Sequence, residues 1–147
     1  MKNSVLLIAG LVITVLFVVF ASPLFEALYY EREFSNEMYN QNLYLMVALV
    51  TAAVAWATAG LFYYAINSVS FSRWYHWLIV LLAGAVVTPV INYIYPDKIF
   101  SADGLDFSAQ LVSFCVMDML VEVVLFVVAS FSIRWWSSNC RHTPIPE

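Results

Sequence analysis

The chain has 147 residues, of which 63% are hydrophobic and only 11% charged, with a net charge of −4. Soluble domains carry about 25% charged residues, so this composition excludes a separate soluble globular domain and places the chain in or beside a lipid bilayer, its first expected partner. No basic patch is present, which excludes nucleic acid.

Four continuous apolar runs, at about 5–25, 43–66, 74–95 and 107–133, each reach the roughly 20 residues that a helical crossing needs. None contains Lys or Arg. Continuous rather than alternating apolarity selects helices over a barrel. The expected fold class is therefore all-α: an integral membrane four-helix (tetraspan) bundle, with 1–147 forming a single transmembrane domain.

Lys2 precedes the first run and Ala21-Ser22-Pro23 follows it, a pattern shared with signal peptides. The run exceeds a typical apolar signal core and lacks an A-x-A site, so an uncleaved first helix is expected. Pro23 is expected to bend it near its end. The connection 26–42 is acidic and leaves two readings open. One is a solvated turn. The other is an amphipathic ledge that docks a partner through Glu31, Glu33 and Glu37.

The second run carries Ala48, Ala52, Ala53, Ala55, Ala57, Ala59 and Gly60, and the third Ala83, Gly84 and Ala85. The link 67–73 is short, so these helices are antiparallel neighbours. Small residues permit close backbone approach in lipid, between these two helices or between subunits. Pro89 removes one backbone bond and is expected to kink the third helix. Pro96 is expected to end that helix, because the residue before proline is biased away from helix. A second outer loop, 96–106, then contains a turn at Ala102-Asp103-Gly104-Leu105. Asp106 or Ser108 is placed to cap the fourth helix.

The fourth run holds the two most informative residues. Asp118 and Glu122 stand four apart, on one helical face with Leu111, Cys115, Leu125 and Ala129. A carboxylate at the bilayer midplane costs about 2.5–3.5 kcal/mol on insertion scales, so two on one stripe need a reason. Polar company expected at similar depth is Thr14 and Thr58, with Thr88 and Asn92 further toward the outer side. Three readings compete. Both acids are protonated and hydrogen-bonded within the bundle, since desolvation and a like-charged neighbour disfavour ionisation. Alternatively, they line a hydrated path or bind a proton or cation, as a ring in an oligomer. Or they meet a basic or polar helix of another membrane protein.

Tyr29, Tyr30, Tyr39, Tyr44, Tyr93 and Tyr95 gather near one set of run ends, and Trp74, Tyr75, Trp77, Trp135 and Trp136 near the other, as interfacial belts do. Lys2, Arg73, Arg134 and Arg141 share one side, while Arg32 and Lys98 lie on the other with seven of the acids. This bias predicts both termini cytoplasmic, with 67–73 as the cytoplasmic loop. The tail 134–147 is short and polar, and Pro144 and Pro146 forbid helix there. It reads either as a frayed end or as an extended segment, with Arg141 and His142, laid on a cytoplasmic partner or on the protein's own inner face. Cys115 and Cys140 are too far apart in depth to pair, and no C-x-x-C motif is present.

Enzyme chemistry finds no footing. His76 and His142 both lie near the cytoplasmic interface, far from Asp118, and no phosphate loop or Ser-His-Asp pattern appears. No cofactor and no metal are expected. The leading expectation is a small tetraspan subunit of the bacterial inner (cytoplasmic) membrane. It assembles with itself or with other membrane proteins into a larger complex of the secretion, envelope or defence type. The alternative is a homo-oligomeric channel or proton/cation conductor using Asp118 and Glu122.

Overall fold

The computed structural model describes residues 2–143. The chain is helical, with no strand among the described residues. In chain order the elements are α1 (Lys2–Val19), α2 (Ala21–Leu28), α3 (Arg32–Asn40), α4 (Leu43–Gly60), α5 (Trp74–Ala102) and α6 (Ser108–Ile133). A π-helical turn, Leu61–Ile66, prolongs α4, and a 3₁₀ turn, Arg134–Trp136, prolongs α6. Four of these helices are long and apolar enough to cross a membrane: α1, α4 with its π turn, α5, and α6 with its 3₁₀ turn. That is the architecture of an integral membrane bundle.

The first helix is shorter than expected, and it breaks before Pro23 rather than at it. Helix α1 stops at Val19, and α2 starts at Ala21 with Pro23 in its first turn. Proline has no N–H for the carbonyl four residues back, which is Val19, and its ring crowds that carbonyl. The bonds on either side survive, Phe20 N–H to Leu16 at 2.9 Å and Leu24 N–H to Phe20 at 3.1 Å.

The acidic connection after it is a helix, not a solvated turn. Glu31 caps α3 by accepting from the Phe34 N–H at 2.9 Å, while its own N–H donates to Ser35 Oγ at 3.2 Å. Phe34, Ser35 and Met38 form the buried face of α3. The helix is amphipathic, but its apolar side packs on the chain's own bundle, at the end where α4 begins and α5 finishes, the outer end in the expected topology. Phe34 packs edge-on against Phe100 and Phe107, with ring centroids 6.1 and 5.7 Å away, and tilted against Phe114 at 5.8 Å. Phe25 and Tyr44 join the same knot around Phe114. Tyr44 is thus a core residue rather than a belt residue.

Helix α5 runs straight through the expected stop at Pro96 to Ala102, 29 residues in all. A helix of that length is about 43 Å long, beyond the ~30 Å of a hydrocarbon core. Pro96 costs about 3 kcal/mol. Burying Phe100 returns ~1.5–3 kcal/mol, and each of its ring pairs with Phe34 and Phe107 adds ~0.5–1.5 kcal/mol. Packing therefore outweighs the break. Gly104, at φ +75°, ends the helix in the expected turn, with the Leu105 N–H bonded to Phe100 at 2.7 Å. The outer loop 96–106 contracts accordingly. Asp106 accepts from the Ser108 N–H at 3.2 Å and from its hydroxyl. Those bonds hold its carboxyl below the usual carboxylate range.

Helix α6 is the hub, packing most extensively on α4 and α5 and also on α1. The expected α4–α5 hairpin exists, but α6 seats both of its members. Only Gly10 and Phe17 of α1 are buried.

The tail is not frayed through Thr143. Ser137, Cys140 and Thr143 are buried. Asn67, in left-handed conformation at φ 35°, anchors the tail. Its Oδ1 accepts from Ser137 Oγ at 2.9 Å and from the Asn139 N–H at 3.0 Å, and its carbonyl accepts from Asn139 Nδ2 at 2.6 Å. Tyr63 OH donates to the Thr143 carbonyl at 2.6 Å. Pro144, Pro146 and Glu147 lie outside the described residues.

Burial pushes the Cys140 thiol up from its ordinary range. The released tail ionises this thiol near about pH 8.5, whereas the docked tail keeps it neutral, so docking weakens as pH rises through that region. Asn67→Ala is expected to raise the rate at which Cys140 reacts with a maleimide by about tenfold or more at pH 7. Timed labelling with mass detection checks this. An unchanged rate would mean that Asn67 does not hold the tail.

Candidate functional site

The acids face inward. Asp118 is 0% exposed and Glu122 1%. They share the buried face of α6 with Leu111, Cys115, Leu125 and Ala129, as the spacing predicts. Their surroundings nevertheless differ sharply.

Asp118 is the centre of a polar knot joining three spans. Thr51 Oγ1 of α4 lies 2.8 Å from Asp118 Oδ1, and Asn92 Nδ2 of α5 donates to Oδ2 at 2.5 Å. Asn92 Nδ2 also lies 3.3 Å from Thr51 Oγ1. Thr51 has one proton and two acceptors in reach, Asp118 and the Val47 carbonyl at 2.7 Å. An ionised Asp118 accepts the Thr51 hydrogen bond. A protonated Asp118 donates to Thr51 Oγ1, which then bonds back to Val47. The same heavy-atom positions serve both states.

Glu122, one turn toward the inner end, has no such support. Neither carboxyl oxygen makes a hydrogen bond. Thr88 of α5 is the neighbouring polar side chain, and its hydroxyl is also buried without a partner. Gly84 makes room for the carboxyl. A Cβ built there would lie 3.2 Å from Glu122 Oε1 and 3.5 Å from Thr58 Oγ1 on α4.

The other expected members are dispersed. Cys115 is buried one turn toward the outer end as a free thiol. Thr14 does not join the acids. It bonds the Gly10 carbonyl at 2.8 Å and accepts from Trp56 Nε1 at 3.0 Å, which pins α1 to α4. Thr58 returns its proton to Val54 at 2.7 Å and meets the site only across Gly84. Glu31 is engaged as a cap, and Glu33 is exposed. Glu37 lies 3.5 Å from Gln41, which donates to Asp103 at 2.9 Å and so ties the two outer connections together. Arg141 and His142 are exposed neighbours, 3.3 Å apart. Among the described residues, no three His, Cys, Asp or Glu side chains gather as metal ligands.

The sequence reading omitted Thr51, the central partner of Asp118. Its signal was depth: it lies eight residues into α4, and Asp118 ten into α6, both counted from the outer end. It also omitted two further ties, Trp56 to Thr14 and Trp77 Nε1 to Ser130 Oγ at 3.0 Å. The first uses Trp56, within α4, as an interhelical donor, and the second uses Trp77, a belt residue. Comparison with protein-family models, curated proteins and solved structures found no match.

Proposed function

We propose that the chain is a small tetraspan subunit of a larger assembly in a bacterial inner membrane, with both termini cytoplasmic. It is built with further copies or with other membrane proteins, as in secretion, envelope or defence complexes. One observation carries this reading. Asp118 is spent inside its own bundle, on Thr51 and Asn92, which suits a scaffold rather than the wall of a conducting path.

Two features support the assembly role. The outer cap and the inner tail both close on the bundle, which leaves the lipid-facing flanks as the surface available to partners. On α4 that flank includes exposed Ala53 and Ala57, and Gly60, where an added Cβ would meet nothing within 4 Å. A second helix can approach such a surface closely.

The test is particle mass in native-lipid nanodiscs. The expected particle is heavier than one 16.7 kDa chain. Ala57→Phe is expected to cut the assembled fraction at least about threefold without changing helical content. A lone chain at every concentration, with no co-purifying protein, overturns the proposal. So does an Ala57→Phe variant that assembles normally together with a cation conductance, in liposomes, that depends on Asp118.

A further inference from the structure

The two acids are not equivalent, and the difference lies in their donors. Asp118 has Thr51 and Asn92 aimed at its oxygens. Glu122 is as deeply buried and makes no hydrogen bond, its one polar neighbour being the equally unpartnered Thr88 hydroxyl. An ionised carboxyl without hydrogen bonds is costly in an apolar interior, and such a group neutralises instead. This arrangement therefore accommodates Glu122 only with its charge cancelled.

The site around it is made of oxygens. Glu122 contributes two, and the partnerless Thr88 hydroxyl is the third. Pro89, beside Thr88, has no N–H to offer the Ala85 carbonyl. Gly84 keeps the space between α5 and α6 free of a side chain. Helices α4 and α5 present no ionisable side chain at this level. Thr58, Gly84 and Thr88 face Glu122 there. In α1 the sole ionisable side chain is Lys2, at its far inner end. The one ionisable neighbour is Asp118, a turn away on α6.

We propose that Glu122, with Thr88, is an exchangeable site for a single positive charge, taken up as a proton or as a small alkali cation. In the proton-loaded form, the Glu122 O–H turns to the Thr88 hydroxyl. In the cation-loaded form, the carboxylate and Thr88 oxygens are the hard ligands that such ions prefer. The site is internal to one bundle and stands whether or not the chain assembles.

Infrared spectroscopy of the full chain in liposomes tests this. At pH 7 in choline buffer, a protonated-carboxyl C=O stretch is expected. It should be lost in Glu122→Gln and retained in Asp118→Asn. Replacing choline with Na⁺ or Li⁺ at equal ionic strength distinguishes the sources of charge. Loss of the band assigns an alkali cation, and a band that persists and then bleaches reversibly at high pH assigns the proton alone. A second measurement needs no variant. A protonated carboxyl adds across a C=N bond of dicyclohexylcarbodiimide and the product rearranges to a stable N-acylurea, and peptide mass mapping should place that adduct on Glu122 at least about tenfold over Asp118. The proposal is overturned if the wild-type spectrum matches that of Glu122→Gln at pH 7, or if the band does not respond to either cation or pH.

Discussion

Replacing Asp118 with alanine is expected to lower the unfolding free energy by about 2–4 kcal/mol, while replacing Glu122 with leucine leaves it within about 1 kcal/mol of wild type. The asymmetry follows from the bonds each acid makes. Asp118→Ala strands the Asn92 amide and the Thr51 hydroxyl in a dry core, and a buried donor without an acceptor costs ~1–3 kcal/mol. Asn92 would retain only the 3.3 Å contact with Thr51. Asp118→Asn keeps the shape and allows the two amides to pair head to tail, so its loss should be less than half that of alanine. Glu122 makes no hydrogen bond here and forfeits at most its contact with Thr88, and leucine removes a desolvated polar group. Titration of helical circular dichroism with a denaturing detergent, in mixed micelles, reads all three. Equal losses for Asp118→Ala and Glu122→Leu would show that the Thr51–Asn92–Asp118 knot does not hold the spans together.

The second large effect is expected at Gly10. A methyl group there would overlap Ser132 Oγ on α6 and lie 2.8 Å from its Cβ. Ser132 Oγ is fixed by its bond to the Val128 carbonyl at 2.6 Å, so rotating it away sacrifices that bond. Alanine gains about 1 kcal/mol over glycine in helix propensity, against ~1–3 kcal/mol for overpacking. The clash wins, and more so for valine. Helix α1 has little else to hold it, namely Phe17, Thr14 and the Trp56 bond. Gly10→Val is therefore expected to detach α1, seen as at least about a fivefold fall in disulfide trapping between cysteines placed on α1 and α6. Ser132→Gly should restore the trapping, and Ser132→Ala, which keeps the crowded Cβ, should restore it only in part. Normal trapping in Gly10→Val would mean that the close approach at Gly10 is not what seats α1.

The four spans were legible in the sequence because unbroken apolarity of the right length has few other uses. The shared burial of Asp118 and Glu122 was legible for the same reason, since a carboxyl does not face acyl chains cheaply. The failures came where tertiary contacts overrode a local rule. Pro96 reads as a stop until Phe100 is seen against Phe34, a residue in the first outer connection. The connection 26–42 reads as a solvated turn or as a ledge docking a partner through Glu31, Glu33 and Glu37 until Phe34 and Met38 turn inward on the same helix. Thr14 and Thr58 were assigned to the acids on depth alone, which gives the layer of a side chain but not its azimuth. Thr51 matches in both, and only the packing of α4 on α6 fixes the azimuth.

The seal over the inner end has a consequence for the order of synthesis. Its bonds join 137–143 to 63–72, partners 70 to 80 positions apart. A ribosome finishes every span before it makes this closing segment, so the nascent bundle passes through a stage in which the Tyr63 hydroxyl and the Asn67 amide have only water and headgroups to satisfy them. Closure of that end therefore waits on residues 137–143, and until they are made its polar groups stay open to whatever surrounds the newborn chain.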